Sequence, residues 1–86
     1  MKVKDIVVKA KDEKAAVAKI NKEMKNAEGY GWKLKKGKGY FGKYELYKTW
    51  KGRAQGGSYG EYDIAEIEAG VYKAVNGQGA GYNGID

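Results

Sequence analysis

Two strand-like stretches lie in residues 32–53, WKLKKGKGYFGKYELYKTWKGR. From Trp32 to Lys36, large apolar residues alternate with lysines, and the same period of two returns from Tyr44 to Lys51. Alternation of this kind is typical of strands that have one buried face. Because glycines separate the two stretches, the segment predicts a hairpin with a long loop.

The period of two also predicts which hairpin side chains face the core. Trp32 and Leu34 share one face of the first stretch, and Tyr44, Leu46 and Trp50 share one face of the second. Large aromatic side chains supply much of the apolar area in a small domain. We therefore expect Trp32, Tyr44 and Trp50 in the core.

Upstream of the hairpin, the sequence predicts one strand and one helix. Residues 3–10 are rich in Val and Ile and form the strand, and Asp12 caps a helix that runs to about Glu28. At 100° per residue the helix has an apolar stripe of Ala16, Val17, Ile20, Met24 and Ala27. A basic ridge lies opposite, formed by Lys11, Lys14, Lys22 and Lys25. Such a ridge is most often a solvated face.

Downstream of the hairpin, the sequence predicts a linker, a second helix and a tail. Residues 54–60 are rich in glycine and are interpreted as a linker. Ser58 and Glu61 have the spacing of a capping box, which starts an acidic helix over residues 61–76. The helix has an apolar stripe of Ile64, Ile67, Val71 and Val75. Residues 77–86 have no periodicity and are expected to be a flexible tail.

The expected fold class is α+β, with the element order β-α-β-β-α. It is a small three-stranded, mainly antiparallel sheet packed with two helices, with the third strand between the first two as one simple arrangement. At this length, residues 1–86 form a single domain, and residues 1–53 form its basic β-α-β-β body. Whether the second helix joins the first or covers the basic face of the sheet stays open.

The inventory of reactive side chains does not favour an enzyme. The chain has no cysteine or histidine, one serine and one threonine, which removes the commonest bases, nucleophiles and metal ligands. The acidic residues Glu61, Asp63, Glu66 and Glu68 are interpreted as partners of a helix dipole, and neither a metal nor a cofactor is expected. No long apolar stretch occurs, so we expect a cytoplasmic protein without a membrane partner.

Charge is distributed unevenly along the chain. Residues 1–53 contain 16 Lys and Arg against 6 Asp and Glu, a balance of +10, whereas residues 54–86 contain 1 against 5, a balance of −4. The first part is suited to a polyanion. The acidic part either docks on that site or simply neutralises it, and the sequence leaves both open.

A short motif in the first half resembles a known group of proteins. Glu28-Gly29 is followed by Trp32-Lys33-Leu34 and then by residues 44–48, YELYK. This pattern resembles small bacterial and phage domains of unknown function, in which a strand and a helix lead to an EGW turn and an aromatic hairpin. Tyr30-Gly31 is an insertion relative to that motif. The resemblance covers residues 3–53 and implies the β-α-β-β layout, but no activity.

The hairpin loop contains a glycine pattern that has two interpretations. Residues 37–42, GKGYFG, match G-x-G-x-x-G, the pattern of several nucleotide-binding loops. A strand rather than a helix is predicted to follow it, and the chain has no further kinase motif. A flexible hairpin tip is therefore favoured, with backbone N–H groups beside Lys38 and Lys43 available to phosphate.

The combination of lysines and aromatic residues predicts a non-catalytic nucleic-acid-binding domain. Lysines contact phosphates, and aromatic rings stack on unpaired bases, so single-stranded DNA or RNA is favoured over duplex. The expected phosphate contacts are Lys33, Lys35, Lys36, Lys38, Lys43, Lys51 and Arg53, and the expected stacking residues are Tyr40, Phe41 and Tyr47. The alternative is a small module that binds an acidic protein, such as a phage-encoded inhibitor of a host complex or an assembly factor. The oligomeric state stays open.

Overall fold

The computed structural model describes residues 3–25, 30–37, 42–51 and 53–77. A 3-10 helix at Val3–Asp5 begins the described chain. The remaining elements are β1 (Val7–Lys9), α1 (Glu13–Glu23), β2 (Tyr30–Lys36), β3 (Tyr44–Trp50), β4 (Arg53–Gln55), β5 (Glu61–Glu68) and β6 (Val71–Asn76). This part of the chain is therefore mostly β, with one short α-helix.

The six strands form one antiparallel sheet that curls into a half-barrel. The strand order is β1-β6-β5-β3-β2, and β4 also pairs with β3. Strands β4 and β5 pair with different ends of β3: β4 with Lys48–Trp50 and β5 with Tyr44 and Glu45. In this order the third strand lies between the first two, as predicted, but it is not next to β1, because β6 and β5 separate β1 from β3.

The predicted acidic helix over residues 61–76 is wrong, and with it the three-stranded, two-helix fold. These residues form strands β5 and β6, which meet at a turn where Gly70 has a φ of +74° and donates its N–H to the Glu66 carboxylate at 2.8 Å. A left-handed glycine in the middle of the segment interrupts a helix. The segment also satisfies a period of two, because Tyr62, Tyr72 and Ala74 are buried while Ile67 is 49% exposed.

The predicted capping box at Ser58 is absent as well. The Ser58 hydroxyl donates to the carbonyl of Gly60 at 3.0 Å and accepts from its N–H at 3.3 Å, so this serine closes a local turn. Ala54 and Gln55, which the sequence places in the linker, belong to β4. The predicted tail falls outside the described residues except for Gly77.

The hairpin and the first helix are confirmed. Strands β2 and β3 pair in an antiparallel register that sets Leu34 opposite Leu46. The Asp12 side chain accepts a hydrogen bond from the N–H of Ala15 at 2.8 Å, as an N-cap does. Helix α1 ends at Glu23, about one turn earlier than predicted. The predicted first strand is shortened to β1, and Val3 belongs to the 3-10 helix.

The core lies between α1 and one face of the sheet, which we call the inner face. The buried apolar residues are Val3, Val8, Ala16, Ile20, Met24, Leu34, Tyr62, Tyr72 and Ala74. Three of them come from the predicted stripe of α1, which is thereby confirmed for the described part of the helix. Opposite the inner face is the outer face, which carries Lys33, Lys35 and Tyr47. Within the described ranges, no helix has the length and apolar character needed to cross a membrane.

Helix α1 spans the gap between the two outermost strands of the curled sheet. The Asn21 amide donates to the carbonyl of Leu34 at 3.1 Å and accepts from its N–H at 2.8 Å, which satisfies the free edge of β2. The Lys19 ammonium group donates to the carbonyl of Lys9 in β1. Covering exposed strand edges in this way limits edge-to-edge association.

The double hydrogen bond of Asn21 predicts a measurable loss of stability on its removal. In Asn21→Ala both backbone groups of Leu34 lose a partner, so we expect the free energy of unfolding to fall by about 1–3 kcal/mol. Urea denaturation followed by circular dichroism measures this change. Glu23→Ala, at an exposed position of the same helix, should change it by less than about 0.5 kcal/mol. Equal effects of the two substitutions would contradict the edge-covering role.

Candidate nucleic-acid interface

Four aromatic side chains and one lysine form an exposed cluster on the inner face, beyond the end of the core. We call Tyr30, Trp32, Lys48, Trp50 and Tyr59 the aromatic platform. Tyr30 and Trp50 stack with their centroids 5.5 Å apart and an interplanar angle of 21°. Trp32 and Tyr59 meet edge to face at 5.2 Å. Tyr30, Trp50 and Tyr59 are 47%, 49% and 45% exposed, so their rings are accessible to a ligand.

The register of the hairpin explains why these side chains meet. Tyr30 lies opposite Trp50, and Trp32 lies opposite Lys48. These pairs continue the row that begins with the buried Leu34 and the partly buried Leu46, so the platform and the core share one face. Past Leu34 the row emerges from beneath α1 and becomes exposed.

Tyr59 reaches the platform through backbone pairing with β3. Its N–H donates to the carbonyl of Leu46 at 2.7 Å, and the N–H of Leu46 donates to the carbonyl of Gly60 at 3.0 Å. This pairing fixes the end of the glycine-rich segment against the sheet. The Tyr59 ring is thereby held against Trp32.

Lys48 places a positive charge among the rings. Its Nζ atom lies 5.8 Å from the centroid of Trp32 and 5.4 Å from that of Tyr59, within the range of cation–π interaction. A groove of about 320 Å³ runs along this surface, lined by Tyr30, Gly31, Trp32, Lys48 and Thr49. The groove thus combines flat apolar walls with an ammonium group.

The segment that builds the platform is strongly basic. Residues 29–60 contain eight Lys and Arg and one acid, Glu45. Glu45 has the opposite strand parity to Trp32 and Lys48, which places it on the outer face. Lys51 follows Trp50 in a turn, and Arg53 of β4 pairs with Trp50. Lys51 and Arg53, two of the predicted phosphate-binding residues, therefore lie next to the platform.

Three other predicted residues, Lys33, Lys35 and Tyr47, share the outer face. Lys33 lies opposite Tyr47, and the Lys35 ammonium group is 5.9 Å from the centroid of the Tyr47 ring. The structure therefore brings these three together, as the sequence predicts. They lie on the side of the sheet opposite to the platform.

The outer face also carries two carboxylates, those of Glu45 and of Glu61, which the sequence predicts on a helix. Glu45 of β3 lies directly opposite Glu61 of β5. The Tyr47 hydroxyl donates to the Glu45 carboxylate at 3.2 Å. Desolvation and the negative charges of Glu45 and Glu61 raise the pKa of Tyr47. Because Glu45 lies between Lys35 and Glu61, the two carboxylates offset the charge of the lysines, and this face is a poorer polyanion site than the sequence suggests.

Lys36 and Lys43 lie near the N-terminal end of α1 and away from the platform. Lys36 lies opposite Tyr44. The Lys43 Nζ atom is 3.7 Å from the Glu13 carboxylate, which offsets its charge. The Tyr44 hydroxyl donates to the same carboxylate at 2.8 Å, and desolvation together with Glu13 raises the pKa of Tyr44 to about 12. Lys38, Tyr40 and Phe41 lie outside the described residues.

The predicted core position of Trp50 is wrong, while Trp32 and Tyr44 do pack against the core. Trp50 has the expected strand parity, but it lies past the region that α1 covers. Sequence reasoning missed Tyr30, Lys48 and Tyr59 as site residues. The sequence signal that could identify this site is Lys48. It has the strand parity of Leu46 and Trp50, and a lysine among these apolar residues indicates where the face becomes exposed to solvent.

Comparisons with protein families, with curated proteins and with solved structures find no match to this chain. The resemblance to small bacterial and phage domains stays an expectation. In the described part of the chain, no group of three or more acidic, histidine or cysteine side chains is arranged to hold a metal ion.

Proposed function

We propose that this protein binds single-stranded nucleic acid on the aromatic platform. The observation that carries the proposal is the exposed stack of Tyr30 and Trp50 beside Lys48, within a segment that has eight basic residues and one acid. Proteins that bind single strands combine aromatic surfaces with positive charge in this way.

The exposed rings suit unpaired bases. Each base stacked on an aromatic ring contributes about 1–3 kcal/mol, and every base has a flat face. In this proposal Trp50 and Tyr30 supply the stacking surface, and Lys48, Lys51 and Arg53, which lie in or next to the platform, bind phosphates. Duplex DNA keeps its bases stacked on one another, which is why single strands are the proposed ligand.

Residues predicted on the outer face take a secondary role in this proposal. Lys35 and Tyr47 share their surface with Glu45 and Glu61, so they contribute less to polyanion binding than Lys48 does. The stacking role moves from Tyr47 to Tyr30 and Trp50.

The alternative function is a protein-binding module. It is favoured by the composition of the platform, since exposed Trp and Tyr residues often dominate the binding energy of protein interfaces. The two functions differ in their dependence on salt. Phosphate contacts release counterions when they form, whereas an aromatic protein contact depends weakly on salt.

Anisotropy of a labelled 12-nucleotide strand, titrated with protein, tests the proposal. If Lys48, Lys51 and Arg53 each meet a phosphate, the affinity should fall about 20-fold between 50 and 200 mM salt, because the logarithmic slope is about −0.7 per contact. A duplex of the same sequence should bind more weakly. Absence of binding at 50 mM salt, or an affinity that does not change with salt, would overturn the proposal.

A further inference from the structure

A second cavity, which we call the lysine pocket, lies where the last turns of α1 meet strand β2. It has a volume of about 270 Å³. The residues that line it are Ala18, Asn21, Lys22, Lys25, Lys33 and Thr49. Three of the six are lysines, which come from α1, from the residues just after it and from β2.

The backbone explains why Lys25 and Thr49 meet at this cavity. Lys25 pairs with Gly31 in a bridge at the edge of the sheet, and Gly31 lies opposite Thr49 on its other side. The three residues therefore form one cross-strand row. The two outer members of the row, Lys25 and Thr49, both line the pocket.

The positive charge of the pocket favours an anionic ligand. No Asp or Glu occurs among the described residues that line it. Three lysines and no carboxylate line this one small cavity, so its net positive charge favours an anion. The amide of Asn21 is already engaged with Leu34, so Asn21 serves as a wall, and Thr49 is the other neutral polar residue in the lining.

We propose that the lysine pocket holds a phosphate group of the strand that binds the aromatic platform. Thr49 lines both the pocket and the groove of the platform, so the two cavities adjoin at this residue. Because Lys33 lies on the outer face, the strand would pass from the platform around the sheet edge at Lys25 to reach the pocket. Lysine ammonium groups and a hydroxyl are donors that suit phosphate oxygens. This inference rests on the proposed function and adds a phosphate subsite to it.

The proposal divides the basic ridge of α1 into two halves with different roles. Lys22 and Lys25 line the lysine pocket. Lys11 lies outside it, and Lys14 lines a separate cavity with Val17, Lys36 and Tyr44. The first pair should matter for binding and the second should not, although all four are exposed lysines of the same ridge.

This division provides a matched test. K22Q/K25Q and K11Q/K14Q remove the same charge, and each pair has one lysine within α1 (Lys22 or Lys14) and one just outside it (Lys25 or Lys11). For the labelled 12-nucleotide strand at 50 mM salt, we expect K22Q/K25Q to weaken binding at least 10-fold and to reduce the logarithmic salt slope by about 1.4, for two lost contacts at about 0.7 each. K11Q/K14Q should change the affinity less than 3-fold. Circular dichroism spectra of both variants check that they fold.

The source of the phosphate is resolved with three ligands. We compare the strand with and without a 5′-phosphate, and we add inorganic phosphate as a competitor at constant ionic strength. Tighter binding of the 5′-phosphorylated strand, lost in K22Q/K25Q, supports a terminal phosphate. Equal binding of the two strands, weakened in K22Q/K25Q, supports an internal phosphate of the backbone. If inorganic phosphate competes with the strand for the wild-type protein but not for K22Q/K25Q, the lysine pocket binds phosphate from either source.

The experiment distinguishes between a wrong assignment of the lysine pocket and a wrong proposed function. If the wild-type protein binds the strand, and K22Q/K25Q and K11Q/K14Q have equal affinities and salt slopes, the lysine pocket is not a phosphate site while the proposed function stands. If the wild-type protein binds no strand at 50 mM salt, both proposals are overturned.

Discussion

We expect Gly31→Ala to be strongly destabilising, with a loss of about 2–5 kcal/mol in the free energy of unfolding. Gly31 has a φ of +154°, where a residue with a side chain is strained. A Cβ atom there would lie 2.2 Å from the carbonyl oxygen of Met24 and 2.9 Å from the Cα of Lys25. Relief of that overlap requires the end of α1 to move away from β2, which costs packing as well.

The same overlap would disrupt a hydrogen bond that docks the helix. The oxygen that the new Cβ meets is the acceptor for the N–H of Trp32 at 3.0 Å. A domain of this size has a total stability of about 4–13 kcal/mol, so the loss is a large share of it. Thermal denaturation measures the effect, and a midpoint lowered by more than about 10 °C is expected.

Gly57→Ala is the matched control for this substitution. A Cβ atom at Gly57 meets nothing within 4 Å, and its φ is not positive. Its midpoint should stay within a few degrees of the wild type, since surface changes alter stability by about 0.5 kcal/mol or less. Similar midpoints for Gly31→Ala and the wild type would contradict the close approach of α1 to β2.

The second large effect is expected for the aromatic platform. Trp50→Ala removes one of the two stacked rings and should weaken binding of the single strand about 10- to 100-fold, which corresponds to about 1.4–2.8 kcal/mol. Because Trp50 is 49% exposed and lies outside the core, the variant should keep most of its stability. Anisotropy of the labelled strand measures affinity without relying on tryptophan fluorescence.

Tyr47→Ala is the corresponding control on the outer face. Tyr47 is the stacking residue that the sequence predicts, and its hydroxyl is engaged with Glu45. Binding should change less than 3-fold in this variant if the platform is the site. If Tyr47→Ala loses more affinity for the strand than Trp50→Ala does, the binding site is on the outer face and not on the platform.

The hairpin was predictable from the sequence because its pattern of apolar residues is local and fits only one secondary structure, the β-strand. Trp32 and Leu34 alternate with lysines, and only a strand places them on one face. The segment of residues 61–76 has two meanings. Ile64, Ile67, Val71 and Val75 fit a helical stripe, whereas Tyr62, Ile64, Tyr72 and Ala74 fit two alternating strands. Gly70 and the neighbouring strands β1 and β3 decide between them, and the latter are distant in the sequence.

The aromatic platform could be predicted only in part, for a related reason. Strand parity correctly assigns Trp32 and Trp50 to the face of Leu34. Whether that face is covered at Trp50 depends on where α1 ends and on how it lies across the sheet. Helix α1 ends at Glu23, and the contact of Tyr59 with Trp32 requires residues that the sequence assigns to a linker. The exposure of Trp32 and Trp50 thus depends on segments outside the hairpin, which the hairpin sequence alone does not reveal.

The pairing of β1 with β6 affects the order in which the chain can fold during synthesis. Val7 pairs with Lys73, which is 66 residues later, and β6 is the one strand that pairs with β1 in the described part of the chain. Strand β1 therefore cannot enter the sheet until β6 has been translated. Hairpin β2–β3, whose ends are close in sequence, has no such delay. The basic hairpin is thus synthesised before the acidic strand β5, whose carboxylates offset part of its charge.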